Sequence, residues 1–112
     1  MVTAKVSRYG LYGAQLDPTR GSEIAKTRPV VVVSPDEMNR HLETVVICPL
    51  TSQLHPQWAS RVPCRCEGVA SEIAVDQIRT VSKSRLTQSL GRIDAATVQE
   101  LRQVIALLYV KD

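Results

Sequence analysis

The feature that most constrains the fold is a run of β-branched residues behind a proline. Residues 29–33 read Pro-Val-Val-Val-Val, an apolar run with no alternation. Because β-branched side chains favour strands, and a strand that is apolar on both faces has to be buried on both, this run predicts a central strand. The proline stands at its first position, where a missing N–H matters least. Residues 44–50, Thr-Val-Val-Ile-Cys-Pro-Leu, predict a second buried strand.

Shorter elements are predicted around these two strands. Ser34, Pro35 and Glu37 have the spacing of a capping box, with Ser34 as N-cap, and predict a helix that ends near His41. The dipeptide Glu67-Gly68 predicts a hairpin turn. Further strands are predicted at residues 9–16, 61–66, 72–75 and 78–81.

The apolar period changes near the end of the chain. After Asp94, a good N-cap residue, the apolar side chains Val98, Leu101, Ile105 and Leu108 recur at helical spacing. They predict an amphipathic helix that reaches about Tyr109. Several strands followed by one helix indicate a mainly β fold with α, a small antiparallel barrel with a helix packed against it. A chain of 112 residues has the size of one domain, so residues 1–112 are expected to form one.

Composition excludes several other classes of protein. The longest apolar run is far shorter than the ~20 residues of a membrane span, and residues 1–15 lack the apolar region of a signal peptide, so we expect a cytoplasmic protein. The three cysteines are an odd number, and His41 and His55 lie outside any zinc-ligand spacing. We therefore expect neither a disulfide framework nor a bound metal.

The net charge of +3 is modest, from 14 basic and 11 acidic side chains. One segment is locally basic, since residues 79–92 hold four cations and no acid. This segment is suited to follow a phosphate backbone. A solvated strand-and-turn region that happens to be basic is the alternative. The four cations are Arg79, Lys83, Arg85 and Arg92.

Two polar clusters flank the buried strands. Arg28 precedes the first strand and Thr51 follows the second. If these strands are antiparallel neighbours, the guanidinium and the hydroxyl lie together and suit a phosphate oxyanion. Alternatively, Arg28 pairs with Glu23 or Asp76, while Thr51 and Ser52 only cap a turn.

Four motifs in one order carry a family resemblance. Residues 17–23 read Asp-Pro-Thr-Arg-Gly-Ser-Glu, 27–29 Thr-Arg-Pro, 49–52 Pro-Leu-Thr-Ser and 76–80 Asp-Gln-Ile-Arg-Thr. With this spacing, about residues 8–92 resemble the MazF/PemK family of toxins from bacterial toxin–antitoxin systems. The resemblance implies a small SH3-like, MazF/CcdB-like barrel with a short internal helix and a C-terminal helix. It also implies a homodimeric, sequence-specific endoribonuclease that cleaves single-stranded mRNA and is neutralised by a cognate antitoxin.

The resemblance also implies which residues form the site. Arg28 and Thr51 are the implied catalytic pair, and no metal or cofactor is implied. In the PemK branch an arginine two residues before the Asp-Gln motif takes part in catalysis, but this chain has Ala74 there. Trp58 is a candidate for stacking on a base, with packing in the core as its alternative. The residues implied to line the RNA groove are Ser22, Glu23, Thr27, Ser52, Asp76 and Gln77.

RNA can be cut without metal when its own 2′-hydroxyl attacks the adjacent phosphorus. The products are a 2′,3′-cyclic phosphate and a 5′-hydroxyl. Arg28 and Thr51 would stabilise the charge that develops on phosphate, whereas Glu23, Asp76 and His55 are all candidates for the general base. A CcdB-like gyrase-inhibiting toxin and a non-catalytic interaction domain are alternative functions, against which the Thr-Arg-Pro and Pro-Leu-Thr-Ser motifs argue.

Overall fold

Seven strands and two helices make up the described part of the chain. The computed structural model describes residues 5–16, 21 and 27–112. The strands are β1 Gly10–Gln15, β2 Thr27–Val32, β3 Thr44–Thr51, β4 Arg61–Cys66, β5 Val69–Ala74, β6 Arg79–Ser82 and β7 Leu86–Arg92. The helices are α1 Asp36–His41 and α2 Ala95–Tyr109, and two 3-10 turns occupy Val75–Gln77 and Lys83–Arg85. The predicted fold class, mainly β with a short internal helix and a C-terminal helix, is confirmed.

Strand β3 is the centre of a curled antiparallel sheet. The strands run in the order β4-β5-β3-β2-β1-β7, and β6 pairs with β3 outside this order. One edge of β3 pairs with β2, as in Val31 opposite Cys48. Its other edge pairs first with β6 and then, at Leu50 and Thr51, with β5. The two β-branched runs are therefore neighbours, as the predicted site requires.

The sheet buries an apolar cluster on each face. Alternate β3 residues point to opposite sides, so Cys48 and Leu50 join one cluster while Val45 and Ile47 join the other. Helix α2 covers the first cluster through Leu101, its fully buried residue. Its N-terminus is capped by Asp94 as predicted.

The cap of α2 is a side-chain hydrogen bond. An Asp94 carboxylate oxygen accepts a hydrogen bond from the backbone N–H of Thr97 at 2.8 Å. Hydrogen bonds from the side chain and the backbone of Thr97 hold the pKa of Asp94 below its usual range. This bond satisfies one of the N–H groups that the first turn of a helix leaves unpaired.

The predicted capping box of α1 is wrong. Pro35 is the N-cap, and no side-chain bond caps this helix. The buried Ser34 hydroxyl instead donates to Asn39 Oδ1 at 2.6 Å and accepts from Val46 N–H at 3.0 Å. Since Ser34 lies under the helix against β3, satisfying these buried groups takes precedence over a cap. The helix does end at His41.

Strand β7 has no counterpart among the predicted strands. Its sequence, Leu-Thr-Gln-Ser-Leu-Gly-Arg, buries only Leu86, so it carries little apolar periodicity. It forms because it pairs with β1, with register shifts along the ladder. Tertiary pairing, rather than intrinsic pattern, makes this segment a strand.

Candidate active site

Arg28 and Thr51 lie across neighbouring strands, as the sequence predicts. The β2–β3 ladder pairs Val30 with Pro49. Arg28 lies two residues before Val30 on β2, and Thr51 lies two residues after Pro49 on β3, so both extend from the same end of this ladder. Both residues line the same cavity of about 180 Å³. The other lining residues are Pro29, Leu50, Ser52, Cys66, Glu67, Val69 and Ser71.

The Thr51 side chain is fixed by the turn that follows it. Thr51 is buried, and its Oγ1 accepts a hydrogen bond from Gln53 N–H at 3.1 Å. The turn role that was the alternative for Thr51 therefore exists. The hydrogen bond from Gln53 uses only a lone pair of the Thr51 oxygen, so the hydroxyl can still donate its proton to another acceptor.

Of the other predicted RNA-contacting residues that the structure describes, Ser52 is the one that lines this cavity. Ser52 lines it and is exposed, and Thr27 is exposed at the start of β2. Asp76 and Gln77 lie on the 3-10 turn after β5 and do not line it. Ser22 and Glu23 lie outside the described residues.

A buried ion-pair cluster beside the cavity was not predicted. Arg61 Nη1 lies 3.5 Å from Glu72 Oε1, and these side chains are only 7% and 4% exposed. Arg61 Nε also donates to Asp76 Oδ1 at 3.0 Å. Glu72 pairs directly with Thr51 across β3 and β5. One sequence signal was available: an acid inside the predicted apolar strand 72–75 needs a cationic partner if it is buried.

Trp58 lies over this cluster rather than in the core. Its side chain is 44% exposed, so the core-packing alternative is wrong. The indole stacks on the His55 ring with centroids 3.9 Å apart and planes at 7°, and the Arg61 Cζ atom lies 4.7 Å from the indole centroid. Its ring is therefore already engaged within the chain.

The thiols near the site are held neutral. Burial, and then the charge of Asp76, raises the pKa of Cys48 to about 12. Burial, and then nearby Cys66, raises the pKa of Cys64 to about 11. Burial also raises the pKa of Cys66, which lines the Arg28 cavity. Since the thiolate is the nucleophilic form of cysteine, none of the three is suited to attack a substrate at neutral pH.

The described residues contain neither a metal-binding cluster nor a membrane-spanning helix. Within residues 5–16, 21 and 27–112, no group of three or more His, Cys, Asp or Glu side chains could hold a metal ion. No helix in the described part of the chain is long and apolar enough to cross a membrane.

Comparison with known proteins identifies the family. Residues 7–109 match the model of the PemK-like, MazF-like toxins of type II toxin–antitoxin systems. The chain belongs to this family. The MazF/PemK resemblance of the motifs is thereby confirmed. Among curated relatives of this PemK/MazF chain is Endoribonuclease EndoA of Bacillus subtilis, which is 30% identical over 110 residues, covering 91% of this chain and 92% of the relative.

Solved MazF structures share the fold. MazF (Form-I) from Deinococcus radiodurans superposes with a TM-score of 0.82 at 24% identity, over 94% of this chain and 96% of that one. An endoribonuclease in complex with its cognate antitoxin, from a mycobacterial species, gives a TM-score of 0.74 at 23% identity, over 92% and 91% of the two chains. The MazF-like architecture implied by the motifs is therefore present in this chain.

Proposed function

We propose that the chain is the toxin of a toxin–antitoxin system and a metal-independent, sequence-specific endoribonuclease that cleaves single-stranded mRNA. The observation that carries this proposal is the juxtaposition of Arg28 and Thr51 at one cavity, in a family whose curated relatives include an endoribonuclease. The whole chain, 1–112, then acts as one toxin domain in the cytoplasm, where mRNA is found. A cognate antitoxin is its proposed protein partner. The comparisons give no support to the gyrase-inhibiting alternative.

The proposed reaction is transesterification within the RNA. The 2′-oxygen forms a bond to the adjacent phosphorus as its proton leaves to a base, and the bond from phosphorus to the 5′-oxygen breaks as that oxygen gains a proton. The products are a 2′,3′-cyclic phosphate and a 5′-hydroxyl. Arg28 donates two N–H groups to the non-bridging oxygens, and Thr51 donates its hydroxyl. Such donors act because they are oriented before charge develops on phosphate.

Groups other than Arg28 have to accept and donate the protons in this reaction. A guanidinium offers N–H donors and no acceptor, so Arg28 supplies charge and hydrogen bonds and not a base. Of the candidate bases, Asp76 is bonded to Arg61 and His55 is stacked on Trp58. Glu23 lies outside the described residues. The catalytic roles we propose are therefore electrostatic ones, for Arg28 and Thr51.

Cleavage is expected to continue without divalent metal. The purified protein is incubated with a long mixed RNA in excess EDTA, and the new ends are mapped. We expect discrete cuts with cyclic phosphate ends, because the attacking group belongs to the RNA. DNA of the same sequence is the control and should stay intact, since it lacks the 2′-hydroxyl. Loss of all cleavage in EDTA, restored by a divalent ion, would contradict the proposed mechanism.

The active unit is expected to be a homodimer whose RNA groove also binds the antitoxin. A chain of 12.4 kDa offers little concave surface, whereas a symmetric pair provides a groove for several nucleotides. Light scattering at micromolar concentration should give twice the chain mass. An acidic antitoxin tail, ordered against Lys and Arg side chains, should displace RNA in a competition assay. An active monomer, or an antitoxin complex with undiminished RNA affinity, would contradict this arrangement.

A further inference from the structure

The segment that follows Thr51 is tied to the sheet by one buried carboxylate. Residues 52–60 connect β3 to β4, and we call them the Thr51 loop. Glu72 Oε1 accepts a hydrogen bond from His55 N–H in the middle of this loop at 2.9 Å. The same oxygen lies 3.5 Å from Arg61 Nη1, where the loop ends and β4 begins. The Glu72 side chain therefore contacts the middle of the loop and the residue that follows it, while the Glu72 backbone is the ladder partner of Thr51, the residue that precedes the loop.

Arg61 extends this connection through three different contacts. Its guanidinium bonds to Asp76 on the 3-10 turn, lies beside Glu72 on β5, and stacks over the indole of Trp58 in the loop. Trp58 in turn stacks on His55. The loop therefore meets β5 twice, through the backbone of His55 and through the Arg61 stack.

The loop is also folded tightly on its own backbone. Trp58 N–H donates to the His55 carbonyl at 2.9 Å, and Arg61 N–H donates to the Trp58 carbonyl at 3.2 Å. Val75 N–H donates to the Ser60 carbonyl at 3.0 Å. These bonds connect His55 to the end of the loop at Arg61 and anchor Ser60 to the 3-10 turn that begins at Val75.

Burial makes the Glu72 contacts specific. A carboxylate in an apolar environment is costly unless it is paired and hydrogen-bonded, so Glu72 is stable only where His55 N–H and Arg61 both reach it. A loop position that moves His55 away leaves the buried Glu72 carboxylate without the N–H bond that it accepts from the loop. The cluster therefore selects one loop position among those a nine-residue connection could adopt.

We propose that Glu72 is a positioning residue for RNA cleavage: by holding the Thr51 loop, it fixes Thr51 and Ser52 beside Arg28. This role rests on the proposed function. Thr51 and Ser52 line the Arg28 cavity, while the Glu72 carboxylate acts on them through the backbone that runs into His55. Glu72 itself is not required to touch the reacting phosphate.

Two substitutions of Glu72 separate positioning from folding. Glu72→Gln keeps an oxygen for His55 N–H and removes the charge that pairs with Arg61, whereas Glu72→Ala removes both. The exposed Glu43 supplies the matched control, Glu43→Gln. The first readout needs no RNA: Trp58 is the only tryptophan of the chain, so acrylamide quenching of its fluorescence reports on the loop alone. We expect Glu72→Ala to increase quenching and Glu43→Gln to leave it unchanged.

The second readout is the kinetics of RNA cleavage, measured well below each variant's melting temperature. We expect Glu72→Ala to lower kcat by about tenfold with KM nearly constant, because a misplaced Thr51 weakens stabilisation of the transition state more than RNA binding. Glu72→Gln should give a smaller loss. Arg61→Ala should resemble Glu72→Ala, and the double variant should lose less than the product of the two single effects, since both disrupt the same cluster.

The outcomes distinguish this role from the proposed function. If folded Glu72→Ala and Glu72→Gln cleave RNA with the wild-type kcat, Glu72 has no positioning role. The same conclusion follows if kcat falls while the quenching of Trp58 stays at the wild-type level. A wild-type protein that cleaves no RNA in EDTA or in metal contradicts the proposed function itself, and with it any role of Glu72 in cleavage.

Discussion

An Arg28→Ala protein is expected to cleave RNA at least about a hundredfold more slowly than the wild type, which is the usual effect of removing one preorganised donor to a developing oxyanion. Arg28 lines the cavity together with Thr51, and the two are brought together by adjacent central strands. The loss should appear in kcat, since the interaction strengthens as negative charge grows on phosphate. Single-turnover cleavage of an oligonucleotide that contains one mapped site measures it directly.

Two further variants define what Arg28 contributes. Arg28→Lys keeps the charge but not the two-pronged donor geometry, so it should recover only part of the rate. Arg40→Ala is the control, because Arg40 is a partly exposed cation paired with Glu37 on α1. Its rate should equal that of the wild type. A folded Arg28→Ala protein with near-normal cleavage would show that Arg28 has a structural role only.

A Leu101→Ala protein is expected to lose about 2–5 kcal/mol of its free energy of unfolding, the range for deleting a fully buried leucine side chain. Leu101 is 0% exposed and joins α2 to the cluster that includes Leu50 and Ile73. The cavity left behind removes contacts between α2 and this cluster. Urea unfolding followed by circular dichroism gives the change, read at constant m-value.

Leu107→Ala is the matched control on the same helix. Leu107 is 51% exposed, so its truncation removes little buried surface and should change the free energy of unfolding by about 0.5 kcal/mol or less. Equal destabilisation by the two substitutions would mean that α2 does not pack through Leu101. Both proteins use the same leucine-to-alanine change, so helix propensity does not separate them.

The sequence predicts those elements whose local pattern agrees with their burial. The apolar stripe after Asp94 predicts α2 to its last residue, Tyr109, because a long amphipathic helix repeats its signal at every turn. The β-branched residues of β2 and β3 likewise reveal two buried strands. Ser34 and β7 differ, since a buried hydrogen-bond network and a distant strand decide their structures.

The residues of the candidate site likewise include some that the sequence predicts and some that it does not. Arg28 and Thr51 were predictable because each directly adjoins a recognisable strand, and antiparallel pairing of those strands brings them together. The Arg61–Glu72 pair was not predicted, because it depends on the register of the β4–β5 ladder, in which Pro63 lies opposite Glu72 and Arg61 is its diagonal neighbour. The sequence indicates that Glu72 needs a cationic partner if it is buried. The folded chain shows that Glu72 is buried and that Arg61 is this partner.

The pairing of β1 with β7 has a consequence for how the protein comes to fold. Leu11 lies opposite Gly91, so this ladder joins residues that are 80 positions apart in the sequence. Bringing such distant segments together costs loop entropy before any contact repays it, which slows folding. On the ribosome, β1 lacks its β7 partner until residues 86–92 have been made. The sheet that carries the candidate nuclease site thus reaches its full set of described strands only once β7, the last of them in chain order, has been made.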